Sequence, residues 1–200
     1  MDYNKFKRTL KKVWKFIWED DSIWSWIANI ILAFVLIKFI VYPGLGLLLG
    51  TDFPIVAVVS GSMEHNSGFD SWWESNKYFY SEYNMTKNDF MSYKFKNGFN
   101  KGDIMILKGI NFAEIKKGEV IVFNGGRTDP IIHRVIKKWK NDKYYFQTKG
   151  DNNNGSIEGM ETKIPEEYVF GKAVFRIPLL GYIKIFAVEV LNFFVEVIGG

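Results

Sequence analysis

From Ile23 to Tyr42 the chain is almost continuously apolar, interrupted only by Ser25, Asn29 and Lys38. About twenty helical residues rise about 30 Å, the thickness of a bilayer's hydrocarbon core. Trp18, Trp24 and Trp26 stand near one end and Tyr42 at the other, where aromatic belts are expected. Lys38 lies close enough to the far end to extend its ammonium to the interface. The apolar region of a cleaved signal peptide is shorter, about 7–15 residues. The stretch 23–42 is therefore predicted to be an uncleaved transmembrane anchor, with a buried or interfacial helix as the alternative. Residues 1–21 carry six basic side chains against four acidic ones. By the positive-inside rule this makes 1–22 a cytoplasmic basic segment and puts everything after Pro43 outside.

Outside the N-terminal segment the charges nearly balance, and no basic patch supports nucleic-acid binding. There is no cysteine, so disulfides, thiol catalysis and cysteine-ligated metal sites are excluded. Aromatic residues form 18% of the chain, a share that calls for a large core or contact with a membrane interface.

Beyond the anchor the pattern changes to short runs bounded by turn residues: Pro54–Val59, Ile104–Leu107, Val120–Phe123, Ile131–Ile136, Tyr144–Thr148 and Tyr168–Ile177, the last with Gly171 as a candidate bulge. Such runs, with no helix between them, predict a mainly β domain over 43–180. Two segments stand apart. Residues 66–100 scatter aromatic side chains, ten of them from Trp72 to Phe99, among Ser, Asn, Lys and Glu. They form either a surface insertion with its own aromatic cluster or a lid or lipid-facing surface. Residues 181–200 form an apolar stretch in which Glu189, Asn192 and Glu196 fall on one helical stripe, so a C-terminal apolar or amphipathic helix is expected, with a second span as the alternative.

Three segments carry candidate chemistry. In Val58-Val59-Ser60-Gly61-Ser62-Met63-Glu64-His65 a serine follows a strand and a glycine, where the backbone can turn sharply and present the hydroxyl. A hydroxyl is a weak nucleophile and needs a base within hydrogen-bond reach. Only His65 and His133 are available. His65 is three residues from Ser62, a spacing that need not aim both side chains at one atom. His133 lies in the strand-like Ile131–Ile136, and histidine is the side chain whose ordinary titration falls nearest neutral pH. A lone strand histidine is ordinarily structural, so on these residues alone both readings stand. In Thr148-Lys149-Gly150-Asp151-Asn152-Asn153 the acid is either a turn residue or the group that orients an imidazole.

Taken together, Ser60-Gly61-Ser62-Met63, Lys101-Gly102-Asp103-Ile104, His133-Arg134-Val135 and Lys149-Gly150-Asp151-Asn152-Asn153, in that order behind an anchor, resemble signal peptidase I of the archaeal and endoplasmic-reticulum branch. The resemblance covers about residues 20–180. It implies a signal-peptidase-like β-domain and a membrane-bound serine endopeptidase that removes signal peptides from exported precursors after small residues. Ser62 would be the nucleophile and His133 the general base, with His133 standing where typical bacterial enzymes use a lysine. The oxyanion would be held by the Ser62 backbone N–H, joined by the Ser60 hydroxyl. Substrate would lie extended beside Pro54, Ile55, Val56, Ala57, Val58 and Val59. No metal or organic cofactor is implied. The partners would be signal-peptide-bearing precursors, the bilayer and the export machinery.

The family commonly has a second aspartate about six residues after that of Gly-Asp-Asn, where this chain has Ile157. Asp151 and the neighbouring Glu158 are thus both candidates for the triad acid. His65 replaces a common proline, and insertion 66–100 separates motifs that are usually close. The altered acid position keeps a second function open, a non-catalytic membrane-tethered protein of the same fold that binds extended peptides.

Overall fold

The computed structural model describes residues 3–183 together with 185, 186, 188 and 189. The chain divides into two compact units after Leu48. The expected C-terminal helix over 181–200 lies for the most part outside the described residues.

The first unit begins with α1 (Tyr3–Trp18) and, after a short turn, α2 (Ile23–Leu36). Ser22 caps α2, its hydroxyl oxygen accepting from the Ser25 N–H at 3.3 Å. The helix then widens into a π turn over Ile37–Val41 and continues as α3 (Tyr42–Leu49). The result is one 27-residue apolar helix, Ile23–Leu49, with mean hydropathy 2.3 and no buried residue in its apolar window; by length and composition it can cross a membrane. It runs beyond the predicted end at Tyr42. Pro43 lies inside it, although proline lacks an N–H and collides with the carbonyl four residues earlier. The π turn immediately upstream loosens that part of the ladder and accommodates the ring.

The second unit is built on seven strands: β1 (Ile55–Ala57), β2 (Ile104–Lys108), β3 (Val120–Phe123), β4 (Ile131–Lys140), β5 (Tyr144–Lys149), β6 (Ile164–Pro165) and β7 (Val169–Ile177). They form one antiparallel sheet in the order β1-β2-β7-β3-β4-β5-β6. The mainly β class predicted from the turn-bounded runs is therefore the observed one. All four residues of β3, flanked by β7 and β4, are buried. The register of β7 slips twice. Val122 faces Gly171 while Phe123 faces Val169, and Ile106 faces Phe175 while Leu107 faces Ala173. The first irregularity lies beside the glycine where a bulge was expected. Extra residues of this kind bend and twist a strand, which lets the sheet curl around its core. One core cluster joins Val58, Met63, Phe99, Met105 and Leu107; a second joins Ile121, Phe123, Val135 and Phe146.

Insertion 66–100 differs from the sequence reading, which placed no helix there. It folds as α4 (Gly68–Glu82) and α5 (Lys87–Ser92). The helical signal was present in Phe69, Trp72, Trp73, Asn76, Tyr80 and Tyr83, which recur at helical spacing. α5 starts on a capping box: the Thr86 hydroxyl accepts from the Asp89 N–H, and the Asp89 carboxylate accepts from the Thr86 N–H. Trp72, Trp73, Tyr80, Met85 and Phe90 pack with Ile136 of β4 into a third core cluster. Phe90 touches four aromatic neighbours with ring centroids 4.6–5.4 Å away and is fully buried. Phe90→Ala is expected to lower stability by about 3–5 kcal/mol, the usual loss for a buried phenylalanine. Guanidinium unfolding of parent and variant in the same detergent measures it.

Candidate active site

The chain leaving β1 is tied to the loop before β2, the Val58 N–H donating to the Asp103 carbonyl and the Gly102 N–H to the Val58 carbonyl, both at 2.8 Å. It then turns through Gly61 and Ser62. The Asn152 N–H donates to the Ser62 carbonyl at 2.8 Å, and its side-chain amide donates to the Gly61 carbonyl at 3.1 Å. The Phe99 N–H holds the Met63 carbonyl at 3.0 Å. The segment carrying Ser62 is thus fixed from three sides by backbone bonds. The Ser62 N–H itself donates to no acceptor among the described residues. The Ser60 hydroxyl stands 3.1 Å from that of Ser62.

His133 stands on β4 opposite Ile121 and is almost fully buried. Its Nε2 lies 2.9 Å from Ser62 Oγ. On the other side of the ring, Nδ1 is hydrogen-bonded to the Glu161 carboxylate. The same Glu161 oxygen accepts from the Thr148 hydroxyl at 3.0 Å, and the second oxygen accepts from the Ile157 N–H at 2.8 Å. An ionised carboxylate only accepts, so the proton of the bond to Glu161 sits on Nδ1, which leaves the Nε2 lone pair facing the serine. Ser62 O–H therefore donates to His133 Nε2. Serine, histidine and carboxylate stand in the order that acyl transfer uses.

Neither acid anticipated from the sequence touches His133. Asp151 belongs to a different buried group. Its carboxylate accepts from Arg134 Nε at 2.8 Å and Nη2 at 2.6 Å, from Tyr80 O–H at 3.1 Å, and from His65 Nε2 at 3.0 Å. The reason is strand alternation: His133 and Arg134 are neighbours on β4 and point to opposite faces, and Asp151 follows Arg134. Gly150 makes the crossing possible, since a Cβ there would stand 2.8 Å from both His133 Nε2 and the Ser62 carbonyl. Glu158 is exposed. Glu161 lies beyond the position about six residues after Asp151 where the family spacing places an acid. It lies past the turn Asn152–Ser156 and is carried back to His133 by the Ile157 bond and by the Thr148 N–H, which donates to the Glu161 carbonyl at 3.1 Å.

Burial alone would raise the Asp151 pKa, but the Arg134 guanidinium and the bonds from Arg134 and His65 overcome it and hold the carboxyl well below the usual carboxylate range. Burial and the adjacent Asp151 charge push the Tyr80 phenol well up, so it stays protonated and donates. His65 stacks on Trp72 at 3.8 Å between ring centroids and serves Asp151 rather than Ser62. The Trp72 indole N–H donates to the Asp151 carbonyl at 2.9 Å. The insertion thus roofs the buried ion pair. Lys149 is buried beside Tyr80 and donates to the Gly150 and Asp151 carbonyls, its pKa brought down to about 8 by burial. Among the described residues no group of three or more His, Asp or Glu could hold a metal ion.

A groove of about 510 Å³ runs past the serine, lined by Ala57, Val59, Ser60, Ser62, Arg127 to His133, Asn153 and Ile157. Two backbone edges flank it. β1 ends the sheet and pairs only with β2. Pairing of β4 with β5 begins at Arg134 opposite Lys149, so Ile131–His133 are bonded on the β3 side alone.

No protein-family model matches the chain. It is 30% identical over 172 residues to the signal peptidase complex catalytic subunit SEC11 of Colletotrichum graminicola, covering 81% of each chain. The SEC11 subunit of Metarhizium robertsii is 29% identical over 158 residues, 76% of this chain and 73% of that one. The human subunit SEC11C is 30% identical over 152 residues, 72% of this chain and 62% of that one.

Asp151→Asn should lower stability by about 3–5 kcal/mol at neutral pH, because it leaves the Arg134 charge buried without its partner. A depressed carboxyl stabilises fully above its unfolded value near about 3.9 and loses that contribution as pH falls below it. The gap between parent and variant should therefore be constant from pH 5 to 7 and shrink below pH 4, as unfolding titrations across that range will register.

Proposed function

The chain belongs to the family of SEC11 signal peptidase catalytic subunits, and from that premise we propose that it is a membrane-bound serine endopeptidase cutting signal peptides from exported precursors. The observation that carries the reading is the unbroken line from Ser62 Oγ through His133 to the Glu161 carboxylate. In this reading His133 Nε2 takes the Ser62 proton as Oγ attacks the scissile carbonyl. The imidazolium that forms is held by Glu161 and hands its proton to the leaving amine. Water, deprotonated by the same nitrogen, then attacks the acyl-enzyme and frees Ser62. The Ser62 N–H, pointing at no protein acceptor, is the first donor for the oxyanion, and the Ser60 hydroxyl is the second.

The two open edges supply the means of binding. An extended peptide laid in the groove can bond to β1 on one side and to Ile131–His133 on the other, as an added strand with its scissile carbonyl over Ser62. Ala57, Val59, Ile131 and Ile132 line the groove with apolar surface, which would suit small side chains near the cut. The helix Ile23–Leu49 would anchor the enzyme, with the basic N-terminus cytoplasmic and the β-domain outside. The relatives are named as subunits of a complex, which supports export machinery as the setting.

The test is cleavage of a membrane-embedded precursor with an Ala-x-Ala site. Ser62→Ala should abolish turnover, and His133→Ala should cost at least about 10²–10⁴-fold. Glu161→Gln should lower kcat by up to about 10⁴-fold with KM little changed, because it removes the charge that orients and stabilises the imidazole. Glu158→Gln should leave both constants near the parent's. Equal loss in the two glutamine variants removes Glu161 from the role, and precursor binding without cleavage by the parent protein replaces the enzyme with a peptide-capture protein.

A further inference from the structure

The strongest feature outside the groove is α1, and its argument rests on the first unit alone. Tyr3, Phe6, Leu10, Val13, Trp14 and Ile17 fall within one side of the helix. Lys5, Lys7, Arg8, Lys11, Lys12 and Lys15 occupy the other. The apolar side is uncovered: Leu10 is 53% exposed and Trp14 62%. In water such a stripe would be an unfavourable surface, whereas at the boundary between headgroups and acyl chains it is what a surface-lying helix requires.

A second observation sets its depth. The span contains two small polar side chains near its start, and both are used on α1. The Ser25 hydroxyl donates to the Phe16 carbonyl at 2.5 Å, and the Asn29 amide donates to the Ile17 carbonyl at 3.0 Å. The last carbonyls of a helix have no partner of their own, and polar side chains in hydrocarbon need one, so each need satisfies the other. Asn29 lies about 9 Å along α2 from its first residue, at 1.5 Å per residue. Helices in the interface plane bury their apolar face about 5–10 Å deep. The end of α1 is therefore pinned at the level such helices occupy.

We propose that α1 is an interfacial helix, its apolar side immersed in the leaflet where the span begins and its six basic side chains bound to anionic phospholipid headgroups. Ser25 and Asn29 are the clamp that keeps its C-terminal turn in the boundary. Charge complementarity selects the occupant, since a second copy of this helix would bring like charges together.

The cysteine-free chain allows a direct test. Single cysteines at Leu10, Val13, Arg8 or Lys12 in the full chain carry a nitroxide label, and each protein is reconstituted into phosphatidylcholine vesicles with or without one-third phosphatidylglycerol. Collision with oxygen should dominate at 10 and 13 and with a water-soluble nickel chelate at 8 and 12, the contrast being several-fold and larger in anionic vesicles. Asn29→Leu should reduce the oxygen signal at 13 and leave a label at Ile31 unchanged. Equal nickel accessibility on both sides overturns the proposal. So does spin–spin broadening at 10 and 13, which would seat a second copy on the stripe, and so does a contrast indifferent to phosphatidylglycerol.

Discussion

A guanidinium and a carboxylate, both without access to solvent, set the positions of nearly everything around Ser62. Arg134 and Asp151 meet through two bonds, 2.8 and 2.6 Å long, with Tyr80 and His65 completing the carboxylate's shell. The remaining guanidinium nitrogen donates to the Gly118 carbonyl at 2.8 Å. Each ion alone would be costly to bury, and together they hold only if every donor and acceptor around them is met. That requirement governs the local architecture. Arg134 follows His133 on β4, and Asp151 precedes the asparagine that grips the Ser62 segment. Joining the two charges therefore brings the His133 ring and the Ser62 hydroxyl together from segments distant in sequence.

The same demand explains the insertion. A buried ion pair needs a dry roof, and α4 and α5 provide one. Trp72 and Tyr80 reach Asp151 with hydrogen bonds, and the Phe90 ring lies 5.0 Å from the Arg134 guanidinium. The aromatic richness of residues 66–100, which on sequence could equally have meant contact with lipid, is spent largely inside the molecule. The sheet beneath is left with two unpaired stretches beside the groove, one because β1 ends the sheet and one because β5 abandons β4 at Gly150 to form the turn that holds Ser62.

Much of this is legible in the chain itself. The β runs announce themselves through turn residues at their ends, and Val120–Phe123 is read to the residue. Ser62 and His133 stand out because few candidates compete: one serine after a strand and glycine, and one strand histidine. The carboxylate that meets His133 is hidden for a physical reason. Its position depends on how a turn of asparagines, glycine and serine closes, and Met160-Glu161-Thr162 carries no pattern that distinguishes it from any surface acid. Asp151 draws attention because an acid next to such a motif looks functional, and only the opposite facing of His133 and Arg134 shows that it pairs with Arg134. In α4 the aromatics repeat at helical spacing, but polar residues between them obscured the period. Pro43 sits inside the helix, and nothing in the letters shows the π turn that lets the helix continue past it.

The paired open edges have a consequence for variety among ligands. A cleft that engages a peptide through its amides and carbonyls is indifferent to most of what distinguishes one polypeptide from another, because every chain carries the same backbone. Used as proposed, it would demand only that a few residues be small and that the stretch be free to straighten. Such a surface tolerates drift in the sequences presented to it, so a whole population of clients can diverge while the groove itself stays still.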